Sequence, residues 1–599
     1  MGADHEVIDH EAIAERYRLE RDKRVRPDGN LQYVEPVGRF ADLLEDPYTP
    51  IIERDPRHLE VEVCVIGAGF AGLATGAMLT DAGIDDFVLL DGAGDVGGVW
   101  YWNRYPGAMC DTAAMIYLPL LEETGAMPSK KYVFAPEIFG HARRIAEHWE
   151  LDEHFWPSTQ VTELRWLDDQ GRWQVTTNRG DLILARFVTM GTGPLHRPKL
   201  PGIEGIDAFE GPCFHTSRWD WSLTGGDPLG APMTGLADKR VGIIGTGATA
   251  VQCVPPLARD AGELLIFQRT PSSIDVRNNH PIDPAWFAEL EPGWQQEWLM
   301  NFAILQTGGI ADEDLVHDGW TDISKRIWAK IRERLGDDLD MEVIRAAYEE
   351  SDDEKMEEIR ARVDSIVEDP ATAAALKPWY RQLCKRPCFH DEYLQTFNLD
   401  NVALVDTDGA GVERIDATGV VVGGVHHDVD VLIFASGFEV GTDYARRCGY
   451  ETIGRGGETL SEHWADGMST LHGMHVAGFP NLFISGINQG ANLISNITHN
   501  LTEAARTVAA VLVAAQERGA GIVEADPAAE AAWISAMEDS ERAFLGSPDC
   551  TPGYYNNEGG EIGRRERLNS SGYPLGAPAF FDFIARWRTS GAFEGLNFS

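Results

Sequence analysis

The chain has no apolar run near the roughly 18 residues that a membrane-spanning helix needs. Its longest candidates, such as Val431-Leu432-Ile433-Phe434-Ala435, have the length of a buried strand. Cysteine is scarce. There are 8 in 599 residues and none is spaced Cys-x-x-Cys, which excludes a disulfide scaffold and a dithiol redox centre. The closest pair, Cys384 and Cys388, straddles Lys385-Arg386 and suits no zinc knuckle, so no metal is expected. Positive charge is also short: 51 Lys+Arg face 95 Asp+Glu, a formal net charge of −44. Such a chain repels phosphate backbones and anionic lipid, so neither nucleic acid nor membrane is an expected partner. Residues Met1 to Glu20 are acidic and lack the apolar core of a secretory signal, and a cytoplasmic location is expected.

What is present is ordinary for a globular protein, with 43% hydrophobic and 24% charged residues. The length predicts several domains. A charged helix and a Pro-punctuated stretch make residues 1–60 an extension. At Val61-Glu62-Val63-Cys64-Val65-Ile66 an apolar strand runs into Gly67-Ala68-Gly69-Phe70-Ala71-Gly72, then a helix, then the strand Phe87-Val88-Leu89-Leu90-Asp91. The pattern recurs: Arg240-Val241-Gly242-Ile243-Ile244, the loop Gly245-Thr246-Gly247-Ala248-Thr249-Ala250, a helix, and Leu264-Leu265-Ile266-Phe267. Two β-α-β units in one chain predict an α/β fold with two Rossmann-like dinucleotide-binding domains. Residues 281–380 turn charged and helix-rich, as in Glu349-Glu350-Ser351-Asp352-Asp353-Glu354, and predict a solvated helical insertion. Strand character returns at Val402-Ala403-Leu404-Val405 and Val429 to Phe434, which suggests that a later segment rejoins the first sheet. The expected division is therefore 61–200 for the first dinucleotide domain, 201–280 for the second, 281–380 for the insertion, 381–525 for the return to both domains and 526–599 for a tail and lid.

A Gly-x-Gly-x-x-Gly loop lets the backbone turn tightly against a pyrophosphate, and the helix behind it points unpaired N–H groups at the phosphates. In the first unit Asp91 lies 22 positions beyond Gly69, where a carboxylate can accept from an adenosine ribose. The second unit carries Gln268-Arg269-Thr270 where a carboxylate would select NAD. A guanidinium there can grip a 2′-phosphate, so this unit reads as NADPH-binding. Two such units imply a bound flavin and a pyridine nucleotide that reduces it by hydride transfer.

Between the fingerprints lies Phe209-Glu210-Gly211-Pro212-Cys213-Phe214-His215-Thr216-Ser217-Arg218-Trp219-Asp220. This segment resembles the Phe-x-Gly-x-x-x-His-x-x-x-Trp-(Pro/Asp) signature of type I Baeyer–Villiger monooxygenases. Gly97 to Asp111, Cys384-Lys385-Arg386-Pro387, Ala435-Ser436-Gly437-Phe438 and Ser495-Asn496-Ile497 extend the likeness over roughly residues 60–520, with Val99 and Ser436 as small departures. Glu15 to Arg24, Asp46-Pro47-Tyr48-Thr49-Pro50 and Gly553-Tyr554-Tyr555-Asn556-Asn557-Glu558-Gly559 are similar to one branch of that family. The branch contains cyclopentadecanone monooxygenase and the pentalenolactone D synthases, and favours bulky, multi-ring or large-ring ketones.

The resemblance implies FAD and NADPH as cofactors and oxygen insertion beside a ketone carbonyl by way of a C4a-peroxyflavin, giving an ester or lactone, here of a terpenoid type. It places FAD against Gly67, Gly69, Phe70, Ala71, Gly72, Asp91, Gly98, Val99, Trp100, Trp102, Asp111, Tyr117, Val161 and Ile497. It places NADPH against Gly245 to Ala250, Gln268, Arg269, Thr270, Lys385 and Arg386. His215 and Trp219, with Phe209 and Gly211, belong to a hinge that couples NADPH binding to domain movement. Arg386 is implied as the cation that keeps a reactive oxygen anionic, with Asp111 pairing and orienting it. Tyr554 to Gly559 has the composition of a mobile lid, or of an exposed turn. Two other readings stand beside this one. A flavin monooxygenase that oxidises nitrogen or sulfur would lack Trp219-Asp220, and an NADP-sensing flavoprotein without turnover would leave Arg386 and Asp111 without purpose.

Overall fold

The computed structural model describes residues 8–307, 309, 311–335, 341–486, 488–491, 496–540 and 550–599. Two sheets organise them. The first has eight strands, in the order Glu451–Ile453, Val161–Leu167, Arg172–Thr177, Leu182–Met190, His58–Ile66, Phe87–Leu90 and Phe155–Trp156, with Leu482–Ile484 also paired to Leu182–Met190. Its dinucleotide half is parallel, and Val161–Leu167, Arg172–Thr177 and Leu182–Met190 form an antiparallel meander beside it. The second sheet has five strands, all parallel: Val402–Asp406, Glu263–Gln268, Arg240–Ile244, Val431–Phe434 and Cys213–His215.

Parallel strands covered on both faces must be apolar throughout rather than alternating. Phe87 to Leu90 and Val431 to Phe434 obey this, each four residues long and buried at every position. At roughly 1.5–3 kcal/mol for each fully buried side chain, such short strands are held by packing more than by their ladders. In the first unit the helix Phe70–Asp81 lies so close to its strand that a Cβ on Gly72 would come within 1.8 Å of the Gly67 carbonyl oxygen. Only glycine permits that approach. The buried helix Ile497–Arg518 covers Phe70–Asp81 from outside.

Two sequence expectations are corrected here. The strands at Val402 to Val405 and Val431 to Phe434 join the second sheet, not the first. The segments that return to the first sheet are Glu451–Ile453 and Leu482–Ile484, too short to announce themselves in sequence. The charged block in the insertion is not simply solvated. In the helix Met341–Ile366, Ser351 and Asp352 are fully buried and Asp353 nearly so, because Asp352 and Asp353 face Arg381 and the N-terminal helix His10–Asp22 lies alongside. Burial pushes the Asp352 carboxyl up to about 7. Among the described residues one disulfide is formed, between Cys384 and Cys550, 166 residues apart, a pairing that no local spacing announces.

Candidate active site

The loops at Gly67–Gly72 and Gly245–Ala250 open onto one cavity of about 1650 Å³, walled by both sheets, the insertion, the N-terminal extension and the tail. That exceeds the ~300–1,000 Å³ of a pocket for a single small ligand and leaves room for more than one. Both helices behind the loops, Phe70–Asp81 and Ala248–Asp260, begin at a glycine with no side-chain cap. Their first N–H groups lack intrahelical partners and face the cavity, as a pyrophosphate requires. A Cβ on Gly247 would meet nothing within 4 Å, so the glycine leaves open space beside the chain. These features fit two dinucleotides.

Of the residues assigned to FAD, Gly67, Gly69, Phe70, Ala71, Asp91, Gly98, Val99, Trp100, Trp102, Asp111, Tyr117, Val161 and Ile497 line the cavity. Asp91 accepts from the backbone N–H of Ala68 at 2.6 Å and of Ala93 at 2.8 Å, one to each carboxylate oxygen. Each oxygen keeps a lone pair for a ligand hydroxyl. The Trp100 indole donates to the Tyr117 hydroxyl at 2.9 Å, fixing two aromatic walls against each other. Asn496 caps the helix that begins at Ile497 and donates to the Ile116 carbonyl. Ser495 lies outside the described residues. Gly72 is absent from the wall, since it serves the helix–strand contact.

Of those assigned to NADPH, Gly245 to Thr249, Arg269, Thr270, Lys385 and Arg386 line the cavity, and Ala250 is fully buried behind them. Gln268 does not reach it. Its side-chain amide donates to the Ala375 carbonyl at 2.8 Å and to Asp406 at 3.3 Å, so it ties the strand to the insertion instead. The Arg269 guanidinium donates to the Gln32 side chain at 2.6 Å. Phe209, Gly211, His215 and Trp219 also stand off the cavity. His215 closes the edge strand of the second sheet, fully buried, and burial together with the Arg218 charge pushes it down to about 3. The imidazole is thereby held neutral near neutral pH.

Arg386 and Asp111, 275 residues apart in sequence, meet in the cavity wall. The Arg386 Nε donates to one Asp111 oxygen at 3.2 Å and Nη2 to the other, a two-point fork. Asp111 is 4% exposed, whereas the Arg386 side chain keeps 38% of its surface open. Burial opposes the guanidinium charge, yet the Asp111 carboxylate overrides it and holds the Arg386 pKa well above its ordinary value. The cation is therefore permanent. Trp320 lies 5.3 Å from it and donates its indole N–H to the Asp111 carbonyl at 3.2 Å. Asp318 in turn accepts from the backbone of Trp320 and of Ala113, bracing the insertion against the Asp111 loop. Tyr554 and Tyr555 of the tail line the same cavity, with ring centroids 4.4 Å apart. Trp320 and Lys199, two further wall residues, carried no motif in the sequence.

The family described as pyridine nucleotide-disulphide oxidoreductase matches residues 64–251. Neopentalenolactone D synthase of Streptomyces avermitilis is 50% identical over 97% of this chain and 98% of its own. A Baeyer-Villiger monooxygenase of Streptomyces coelicolor is 47% identical over 96% of this chain and 95% of its own. Among solved structures, the polycyclic ketone monooxygenase of the thermophilic fungus Thermothelomyces thermophila superposes with a TM-score of 0.90 at 36% identity, covering 98% of this chain and 99% of its own.

Proposed function

Because the chain belongs to the Baeyer–Villiger monooxygenase family, we propose that its substrate is a bulky polycyclic or large-ring ketone of terpenoid origin, which it converts to the lactone. The enzyme is FAD-containing and NADPH-dependent. When bound, FAD reduced by NADPH would activate O2, so that one oxygen atom enters beside the carbonyl and the other leaves as water. The remaining tasks fall to side chains of this chain. Arg386 presents a fixed positive charge where negative charge develops on oxygen, and Asp111 keeps that charge on one heading. Lysine would serve less well, because burial can strip its charge and a point donor cannot hold both carboxylate oxygens. Trp320, Phe302, Tyr554 and Tyr555 wall the same space with aromatic surface, which excludes water and suits an apolar ring system. Asp91, Gly69 and Gly98 would hold FAD; Gly247, Arg269 and Lys385 would hold NADPH.

The observation that carries this reading is the Arg386–Asp111 fork inside the cavity that both glycine loops share. The names of the similar proteins point to polycyclic ketones, and the aromatic wall beside Arg386 suits an apolar ring system. No helix among the described residues is long and apolar enough to cross a membrane. We place the enzyme in the cytoplasm, where NADPH is made. A panel of fused-ring and large-ring ketones, incubated with NADPH and 18O2, should yield products heavier by one labelled oxygen that hydrolyse as esters. NADPH consumption independent of every ketone, or oxygen recovered only at nitrogen or sulfur, would refute the assignment.

A further inference from the structure

The adenosine end of the second dinucleotide unit holds more charge than the fingerprint supplies. Beside Arg269 and Lys385 the cavity contains Lys199, which is 3% exposed and packs its ammonium 3.5 Å from the centroid of the Tyr33 ring. Into these three cations the tail inserts one carboxylate. Glu558 is 3% exposed, with one oxygen 3.5 Å from Lys199 Nζ and the other 3.7 Å from Arg269 Nη2. The second oxygen has no hydrogen-bond partner among the described residues. Glu558 accepts one long hydrogen bond from Lys199, at 3.5 Å, and a buried carboxylate whose other oxygen is bare owes its position largely to its backbone. That backbone is specialised: Asn557 and Glu558 both have φ of +53°, a left-handed conformation that side-chain-bearing residues seldom adopt. The Glu558 N–H donates to the Gly553 carbonyl at 2.9 Å, and Asn30 of the extension donates to the Asn557 side chain at 2.7 Å.

A 2′-phosphate needs the outer edge of the Arg269 guanidinium. Nη1 is occupied by Gln32, and Nη2 faces the Glu558 carboxylate. The two anions therefore want the same donors. We propose that Glu558 is a specificity-determining residue that competes with the 2′-phosphate of NADPH for Arg269 and Lys199, and so sets how strongly the enzyme prefers NADPH to NADH. Lys199 is then a third phosphate-binding cation, kept in place by Tyr33 and Glu558 when no nucleotide is bound. This inference rests on the reading that Arg269 receives the 2′-phosphate.

The test titrates the flavin-loaded enzyme calorimetrically with adenosine 2′,5′-bisphosphate and with 5′-AMP. Glu558→Gln keeps the shape of the side chain and removes its charge. It should bind the bisphosphate about tenfold more tightly while 5′-AMP affinity stays unchanged. Glu558→Asp, which withdraws the carboxylate by one carbon, should move the same way by less and guards against misfolding of the first variant; unchanged flavin absorbance verifies both. Lys199→Ala and Arg269→Ala should each weaken bisphosphate binding. If Arg269→Ala weakens it and Glu558→Gln leaves it unchanged or weaker, Glu558 supports the subsite and the competitor role is wrong. If Arg269→Ala has no effect, the phosphate subsite itself is elsewhere, and the proposal falls with it.

Discussion

Replacing Arg386 tests the chemistry most directly. The guanidinium stands in the cavity wall with 38% of its side chain open, so water screens it in part, and an effective dielectric constant of ~20 is appropriate rather than that of a dry interior. At about 4 Å a unit charge there stabilises a developing oxyanion by roughly 4 kcal/mol, which corresponds to about a thousandfold in rate. Loss of one oxyanion donor in other enzymes costs ~10²–10³, the same order. Arg386→Ala should therefore keep its FAD and lose about three orders of magnitude in lactone formation. Arg386→Lys keeps a charge but loses the fork to both Asp111 oxygens, and should fall between the two. The alanine variant also strands Asp111, which is only 4% exposed, so it should be less stable than the double variant Arg386→Ala/Asp111→Ala. The assay follows lactone by mass spectrometry, hydrogen peroxide by a coupled peroxidase, and FAD by absorbance. Lactone formation by Arg386→Ala within tenfold of the parent enzyme would refute the reasoning.

Three further predictions address the rest of the cavity. Burial, helped by the neighbouring Arg269 charge, lowers the Lys385 pKa to about 8; its ammonium is intact below that pH and is lost above it. NADPH affinity should accordingly fall as pH rises from 8 to 10, and a Kd flat across that range in equilibrium titrations would contradict a phosphate-binding role. The glycine loops should fail in different ways. Gly72→Ala has no room, with a Cβ 1.8 Å from the Gly67 oxygen, and should give protein without bound flavin; Gly247→Ala has φ −75° and open space, and should fold, keep FAD and bind NADPH several-fold more weakly. Removing the Cys384–Cys550 bond by Cys550→Ser frees a 166-residue loop whose closure is worth up to about 5 kcal/mol on chain-entropy grounds. Limited proteolysis should then cut the tail faster, and equal resistance with and without the bond would show the tail to be held by packing alone.

The fingerprints were legible because each compresses a physical demand into adjacent residues: a strand, a tight turn at Gly67 or Gly245, and a helix start facing the cavity. Arg386 and Asp111 could be paired only through the family likeness, since 275 residues separate them and nothing in their spacing predicts contact. Gln268 sat beside Arg269 in the same motif, yet Gln268 ends the strand with its side chain on the insertion, whereas Arg269, one residue past the strand, reaches the cavity. The buried half of the helix Met341–Ile366 was illegible because its acidic residues are matched by Arg381 and by the N-terminal helix, both remote in sequence. The strands Glu451–Ile453 and Leu482–Ile484 are three residues each, below the length at which periodicity carries information.

The stretch ahead of the first β-α-β unit reads on composition as a mere extension. Yet Gln32 accepts from the Arg269 guanidinium, Arg24 donates to the Arg269 backbone carbonyl, and Tyr33 covers Lys199. If Arg269 receives the 2′-phosphate as proposed, residues 24–33 help set ligand selectivity. Chimaeras that exchange only the Rossmann cores would carry over the sockets and leave behind one of the hands that shapes them.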